Sequence, residues 1–273
     1  MSNNLFDKVI VSSDDRPMFL NFWPVVSKAW QKYFNIKPTL ALVSNISEDD
    51  PLLARLREYG DVYVLPKIEG IPVANLAKIA RFIVASRMGD QVCMIEDIDT
   101  IPLQRKFVED RLSKREPGKI LAVGHEVLAN TPHAGKFPIS NITSEGYNFK
   151  RLFNPDDLPY EELIKSLIGL KVVDHKENIM NPPDTFSDES IIRGLITKHD
   201  LHSIIQKVER GVDIHSDWID RSWWNIDENK LKADGYVTCN FLRPFKENMQ
   251  AFIPIIEHVY GYLPKSKELL VLL

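Results

Sequence analysis

The first hundred residues switch repeatedly between two spacings of apolar positions. Lys8 to Ser13 (KVIVSS), Thr39 to Ser44 (TLALVS), Asp61 to Leu65 (DVYVL) and Gln91 to Ile95 (QVCMI) are short apolar runs between polar stretches, and they predict strands, the first of them buried. Phe19, Phe22, Trp23, Val26, Ala29, Trp30 and Tyr33 recur at helical spacing, with Pro24 in the first turn of that helix or at a kink in it. Pro51 to Tyr59 predicts a short helix. Val73, Leu76, Ala77, Ala80, Ile83 and Val84 make the apolar face of another. Strands alternating with helices predict an α/β fold, a mostly parallel sheet flanked by helices.

After Pro102 the pattern loosens. Lys119 to Val123 predicts a fifth strand, and helical spacing returns at Glu161–Ile168, Glu189–Ile196, Leu201–Val208 and Lys246–Tyr260. Gly124 to Tyr147 is polar and too long for a simple connection, and loops of that kind often carry function. Asn178 to Ser187 predicts a further loop. There is no internal repeat. The reading is one domain over 1–273, with a first half at 1–105 and a more helical second half at 106–273.

Ligands of open α/β sheets bind outside the carboxyl ends of the strands. Here those ends are Ser12-Ser13-Asp14-Asp15 and Glu96-Asp97-Ile98-Asp99, both acidic. Asp97 and Asp99 are separated by one residue just past an apolar strand, so both can face one site. Hard divalent cations take oxygen ligands and share them with phosphates, and such a cation can stabilise charge on a departing diphosphate. Taken alone, such a triplet is more often a solvated loop after a strand.

Composition narrows the classes. The chain has 273 residues, 44% hydrophobic and 26% charged, which is enough for a large globular core. A net charge of −4 lacks the field of a dedicated nucleic-acid binder. Of the two cysteines, Cys93 lies in an apolar run as a small buried residue, and two cannot build a disulfide framework or a four-cysteine zinc site. A reducing compartment is expected. The N-terminus lacks a basic segment followed by a long apolar one, and no stretch approaches the roughly 18 apolar residues of a membrane span. These features predict a cytoplasmic chain without a membrane span.

Several segments together resemble the GT-A glycosyltransferases, which carry an Asp-x-Asp motif at the end of a central strand. Lys8 to Asp15 resembles the first strand and its nucleotide-contacting loop. Lys78 and Arg81 lie three apart on the polar side of the helix before the motif. Met94 to Leu103 (MIEDIDTIPL) resembles the motif strand, and the likeness covers 8–105 well and the remainder loosely. The resemblance implies a GT-A fold whose two halves hold the nucleotide sugar and the acceptor. It implies Asp97 on the ribose or a metal-bound water, Asp99 on Mn2+ or Mg2+, Asp14 or Asp15 with Ser12 and Ser13 near the base or ribose, and Arg81 with Lys78 on the diphosphate or donor sugar. The donor would be a nucleoside diphosphate sugar, UDP-linked by preference and GDP-linked as the other option. The acceptor would be a glycan or glycoconjugate.

Family members often add a metal ligand near the chain end, frequently a histidine. Thr238 to Phe245 is the corresponding region and offers Asn240, with His215 or His258 as substitutes. The resemblance also places a general base at Asp188, with Glu189 second. The residues themselves allow plainer roles. Asp14 and Asp15 suit a turn or cap, Lys78 and Arg81 a solvated helix face, and Asp188 and Glu189 a helix N-terminus. His125, His133 and Lys136 decorate the long polar loop. Trp218, Trp223 and Trp224 could meet sugar rings or simply pack.

Other classes fit less well. A haloacid-dehalogenase-type phosphatase wants its Asp-x-Asp on the first strand with a threonine four residues on, whereas Thr100 is three after Asp97. A sugar nucleotidyltransferase wants a Gly-rich basic loop after that strand, and a dehydrogenase wants G-x-G-x-x-G. A non-catalytic carbohydrate- or nucleotide-binding protein is the alternative from a different class.

Overall fold

The computed structural model describes residues 5–124, 137–168, 170, 188–211 and 214–272. The first part runs β1 (Lys8–Asp14), α1 (Pro17–Leu20), α2 (Trp23–Phe34), β2 (Thr39–Val43), α3 (Pro51–Tyr59), β3 (Asp61–Leu65), α4 (Val73–Ala85) and β4 (Val92–Ile95). The helix expected from Phe19 onward is two. Pro17 and Pro24 each sit in a first turn, where a missing N–H costs nothing, so each starts its own helix.

The chain continues through β5 (Thr100–Pro102), α5 (Arg105–Leu112), β6 (Ile120–Val123), β7 (Ile142–Glu145), α6 (Gly146–Phe153), α7 (Tyr160–Ile168) and α8 (Asp188–Lys198). It ends with β8 (Ile205–Val208), α9 (Ile214–Asp217), β9 (Trp218–Asp220), α10 (Glu228–Lys232), β10 (Thr238–Asn240), α11 (Phe245–Tyr260) and α12 (Ser266–Leu269).

The helix expected over Leu201–Val208 is not there. His202–Ile204 makes one 3-10 turn, and Ile205–Val208 extends as a strand in register with Ile120–Val123. Pairing along the sheet edge outweighs the local spacing of apolar residues, as context usually does for short segments. The polar stretch before Tyr147 likewise contains a strand, β7. Its Thr143 and Ser144 are buried, with their hydroxyls donating to the carbonyls of Asn141 and Lys119.

The main sheet has seven strands in the order β3-β2-β1-β4-β7-β6-β8. β7 is antiparallel to both its neighbours, and the remaining pairs are parallel. The alternating side chains of β1 feed two separate cores. Val9 and Val11 join one with α2 and α11, and Ile10 joins the other with α4, α6 and α8. Among the described residues no helix is long and apolar enough to cross a membrane.

A second sheet, β5-β10-β9, sits beyond β4. Its register aligns Thr100 with Asn240 and Asn240 with Asp220, and the Phe241 N–H donates to the Asp99 carbonyl at 2.8 Å. Three short strands thus bring two distant segments of the second half against the acidic turn after β4.

Candidate active site

From β1 the chain goes to one side of the sheet for β2 and β3, and β4 lies on the other side, so β1 and β4 flank a switch in strand order. Crevices at such switches are where open α/β sheets bind ligands. A cavity of about 220 Å³ opens there. It is lined by Ser12, Ser13 and Asp14 from β1, Lys78 and Arg81 from α4, Asp97 and Asp99 after β4, Asp188 from α8, and Arg243. Ser12, Ser13, Asp14, Lys78, Arg81, Asp97, Asp99 and Asp188, all singled out in the sequence, therefore meet in one place.

Arg81 organises the floor. It is buried, and its Nη1 donates to Asp97 Oδ1 at 2.5 Å and to the Glu96 carbonyl at 2.8 Å, while Nη2 donates to Asp188 Oδ2 at 2.7 Å. The resemblance implied Arg81 on the diphosphate or donor sugar; here both its terminal nitrogens hold carboxylates while it lines the cavity. Burial works against the ionised form of Asp97, but Arg81, Arg243 and Arg221 outweigh it and hold that carboxyl below its usual range. For Asp188, burial wins over Arg81 and lifts the carboxyl above its usual range.

Asp99 is fully buried. Its Oδ2 accepts from Arg221 Nη1 at 2.5 Å and from Arg243 Nε. Its Oδ1 is buried and has no partner among the described residues. Asn240, expected as a metal ligand, turns its Oδ1 to Arg221 Nη1 at 3.1 Å and its Nδ2 to Asp220 Oδ2 at 3.2 Å.

Other candidates have structural duties. Asp14 accepts from the Arg16 backbone N–H at 3.0 Å and forms a two-bond ion pair with the Arg16 side chain, which is the turn role its position allowed. Asp15 is absent from the cavity wall and binds Lys67 and Ser44, both at 2.7 Å. Burial raises its carboxyl, but these two partners bring it below the usual range. Glu189 follows Asp188 on α8 and does not line the cavity. Trp224 packs on Phe241 and Phe252, and Trp218 on Phe107 and Arg210. His258 lies in a separate cavity, 3.4 Å from Asp234. His125, His133, Lys136 and the His215 side chain lie outside the described residues.

Glu96 is the least conventional group nearby. It is buried, and its Oε1 accepts from Ser140 Oγ at 2.5 Å and from the Asp97 N–H at 3.0 Å. Burial and then the Asp97 charge push its carboxyl up to about 7, above the 4.5 of an unfolded chain. The fold thus prefers the protonated form. The stabilisation this gives is complete below pH 4.5 and is lost as pH rises through 7. Glu96→Gln should change stability little at low pH and raise it by about 1–3 kcal/mol near pH 8. Urea unfolding at the two pH values measures this, and equal effects at both would contradict it.

The residues fit a divalent cation poorly. One observation favours it, the unpartnered Asp99 Oδ1. Against it, the other Asp99 oxygen carries two guanidinium groups, Asp97 Oδ1 carries a third, and the Asn240 oxygen is taken. A dication on Asp99 would meet a carboxylate whose charge two guanidinium groups already offset. Among the described residues, no three His, Cys, Asp or Glu side chains form a group able to hold a metal.

No protein family and no curated protein matches the sequence. Solved structures do match. An active-site mutant of LgtC aligns over 96% of this chain and 100% of its own, with a TM-score of 0.53 and 13% identity. The galactosyltransferase LgtC in complex with donor and acceptor sugar analogs covers 95% and 98%, with a TM-score of 0.49 and 11% identity. The glycosyltransferase GlyE of Streptococcus pneumoniae TIGR4 aligns over 96% of this chain and 62% of GlyE, with a TM-score of 0.48 and 12% identity. The first of these carries the comparison, and at that identity it speaks to fold. The chain has the fold of LgtC, a mixed, mostly parallel sheet flanked by helices of the GT-A type.

Proposed function

We propose that this chain transfers a sugar from a nucleoside diphosphate sugar to a hydroxyl of a glycan or glycoconjugate acceptor. The observation that carries the reading is the meeting of Ser12, Ser13, Lys78, Asp97, Asp188 and Arg243 around one cavity at the β1–β4 switch of this fold. The polar end of β1 suits a base and ribose, and UDP is the favoured nucleotide, with GDP second. Lys78 and Arg243 suit the diphosphate, since ammonium and guanidinium groups both bind phosphate oxygens. In this division the residues up to 105, joined by Arg243, hold the donor, and the remainder of the second half holds the acceptor.

In the transfer, the acceptor oxygen bonds to the anomeric carbon as the bond from that carbon to the diphosphate oxygen breaks. The electron pair leaves on the nucleoside diphosphate, and fixed cations beside it stabilise that charge. Asp188 is assigned the hydroxyl proton. Burial raises its proton affinity, as a base of this kind requires, and Arg81 fixes its position. Asp97, held by the same guanidinium and part-exposed, is assigned to the donor.

Incubating the full chain with a panel of UDP- and GDP-sugars and following nucleotide release tests this reading. Release with at least one donor, accelerated by a saccharide acceptor, is expected. Nucleotide binding without any release would leave a binding protein in its place.

A further inference from the structure

Resting on the donor-site reading above, we infer that the guanidinium of Arg243, anchored on Asp99 beside Arg221, joins Lys78 in supplying the positive charge for the diphosphate, and that donor binding needs no divalent metal.

The small sheet builds this pair deliberately. β9 ends at Asp220, so Arg221 leaves the strand one residue later. β10 ends at Asn240, three residues before Arg243. Because β5 starts at Thr100 and pairs with β10, both arginines arrive beside Asp99 by register, across sequence separations of 122 and 144 residues. The amide of Asn240 supports the arrangement. Its oxygen holds Arg221, and its Nδ2 is fixed by Asp220. The motif aspartate and the polar residue expected to complete a metal site are thus both engaged in holding arginines.

Arg243 is placed to act on a ligand. It lines the cavity, its guanidinium stands 5.1 Å from the centre of the Phe19 ring, and it bonds Asp99 through Nε. Among the described residues, no acceptor takes its Nη1 or Nη2. That leaves the edge of the fork that binds phosphate oxygens two at a time. Asp99 then orients a cation rather than ligating one. The site offers fixed charge with no metal to recruit, and a metal on the unpartnered Oδ1 of Asp99 would stand beside the two guanidinium groups that Oδ2 already holds.

Calorimetric titration of UDP and of GDP into the full chain, once in EDTA and once in MnCl2, tests the inference. Electron paramagnetic resonance of Mn2+ at saturating nucleotide runs beside it. The expected result is a dissociation constant that agrees within about twofold between the two buffers, no protein-bound Mn2+ signal, and about tenfold or greater weakening by Arg243→Gln in EDTA. Binding that appears only with Mn2+, with one bound Mn2+ per chain, would overturn this inference and leave the transferase reading intact. Binding of neither nucleotide in either buffer would overturn both. The wild-type measurements decide the matter even if Arg243→Gln fails to fold.

Discussion

Replacing Arg81 with methionine should lower the stability of the fold by about 3–5 kcal/mol, the usual cost of stranding a buried charge. The guanidinium is nearly inaccessible and serves three acceptors, Asp97, Asp188 and the Glu96 carbonyl. Asp188 is almost as buried, so without Arg81 it must either stay ionised in a dry pocket or take up a proton. Burial already raises its carboxyl, and losing Arg81 raises it further. A group whose folded pKa lies above its unfolded value loses its stabilising contribution as pH rises. The variant should therefore suffer more at pH 8 than at pH 5. Adding Asp188→Leu to Arg81→Met should recover part of the loss, because removing both partners strands less charge than removing one. Urea denaturation of the wild type and the two variants at two pH values measures all of this. A single-variant loss below about 1 kcal/mol, the range of an exposed pair, would contradict the account.

The second large effect is expected at Asp188 itself. Asp188→Asn keeps the shape and an oxygen for Arg81 Nη2, but an amide cannot take a proton from the acceptor. kcat should fall by about 10²–10³ while the donor KM changes by less than about tenfold. The low-pH limb of the kcat profile should disappear with it. If Asp188 only positions Arg81, kcat and KM would shift together and the pH profile would keep its shape. That outcome would move the base elsewhere.

The sequence shows the first half of this molecule more clearly than the second, for a physical reason. β1, β2 and β4 are contiguous apolar runs whose burial is written in consecutive residues, and the acidic turns after β1 and β4 follow directly. β5, β9 and β10 have three residues each, too few for alternation to stand out. β7 is buried yet polar, since its hydroxyls find partners inside. Pairings between distant residues are harder still. Arg81 and Asp188 could each be singled out, but their contact spans 107 residues and leaves no local pattern. The same holds for Arg221 and Arg243 on Asp99. Only the order of strands in the small sheet makes those arginines neighbours of the Asp-x-Asp turn, and it recasts Asp99 from a presumed metal ligand into an anchor.

The most direct test of the donor site is a crystal structure of the full chain with UDP or GDP bound. The account predicts the diphosphate within hydrogen-bonding distance of Lys78 and Arg243, with the base and ribose against Ser12, Ser13 and Asp14. A nucleotide bound away from the β1–β4 switch, with Lys78 and Arg243 untouched, would contradict it.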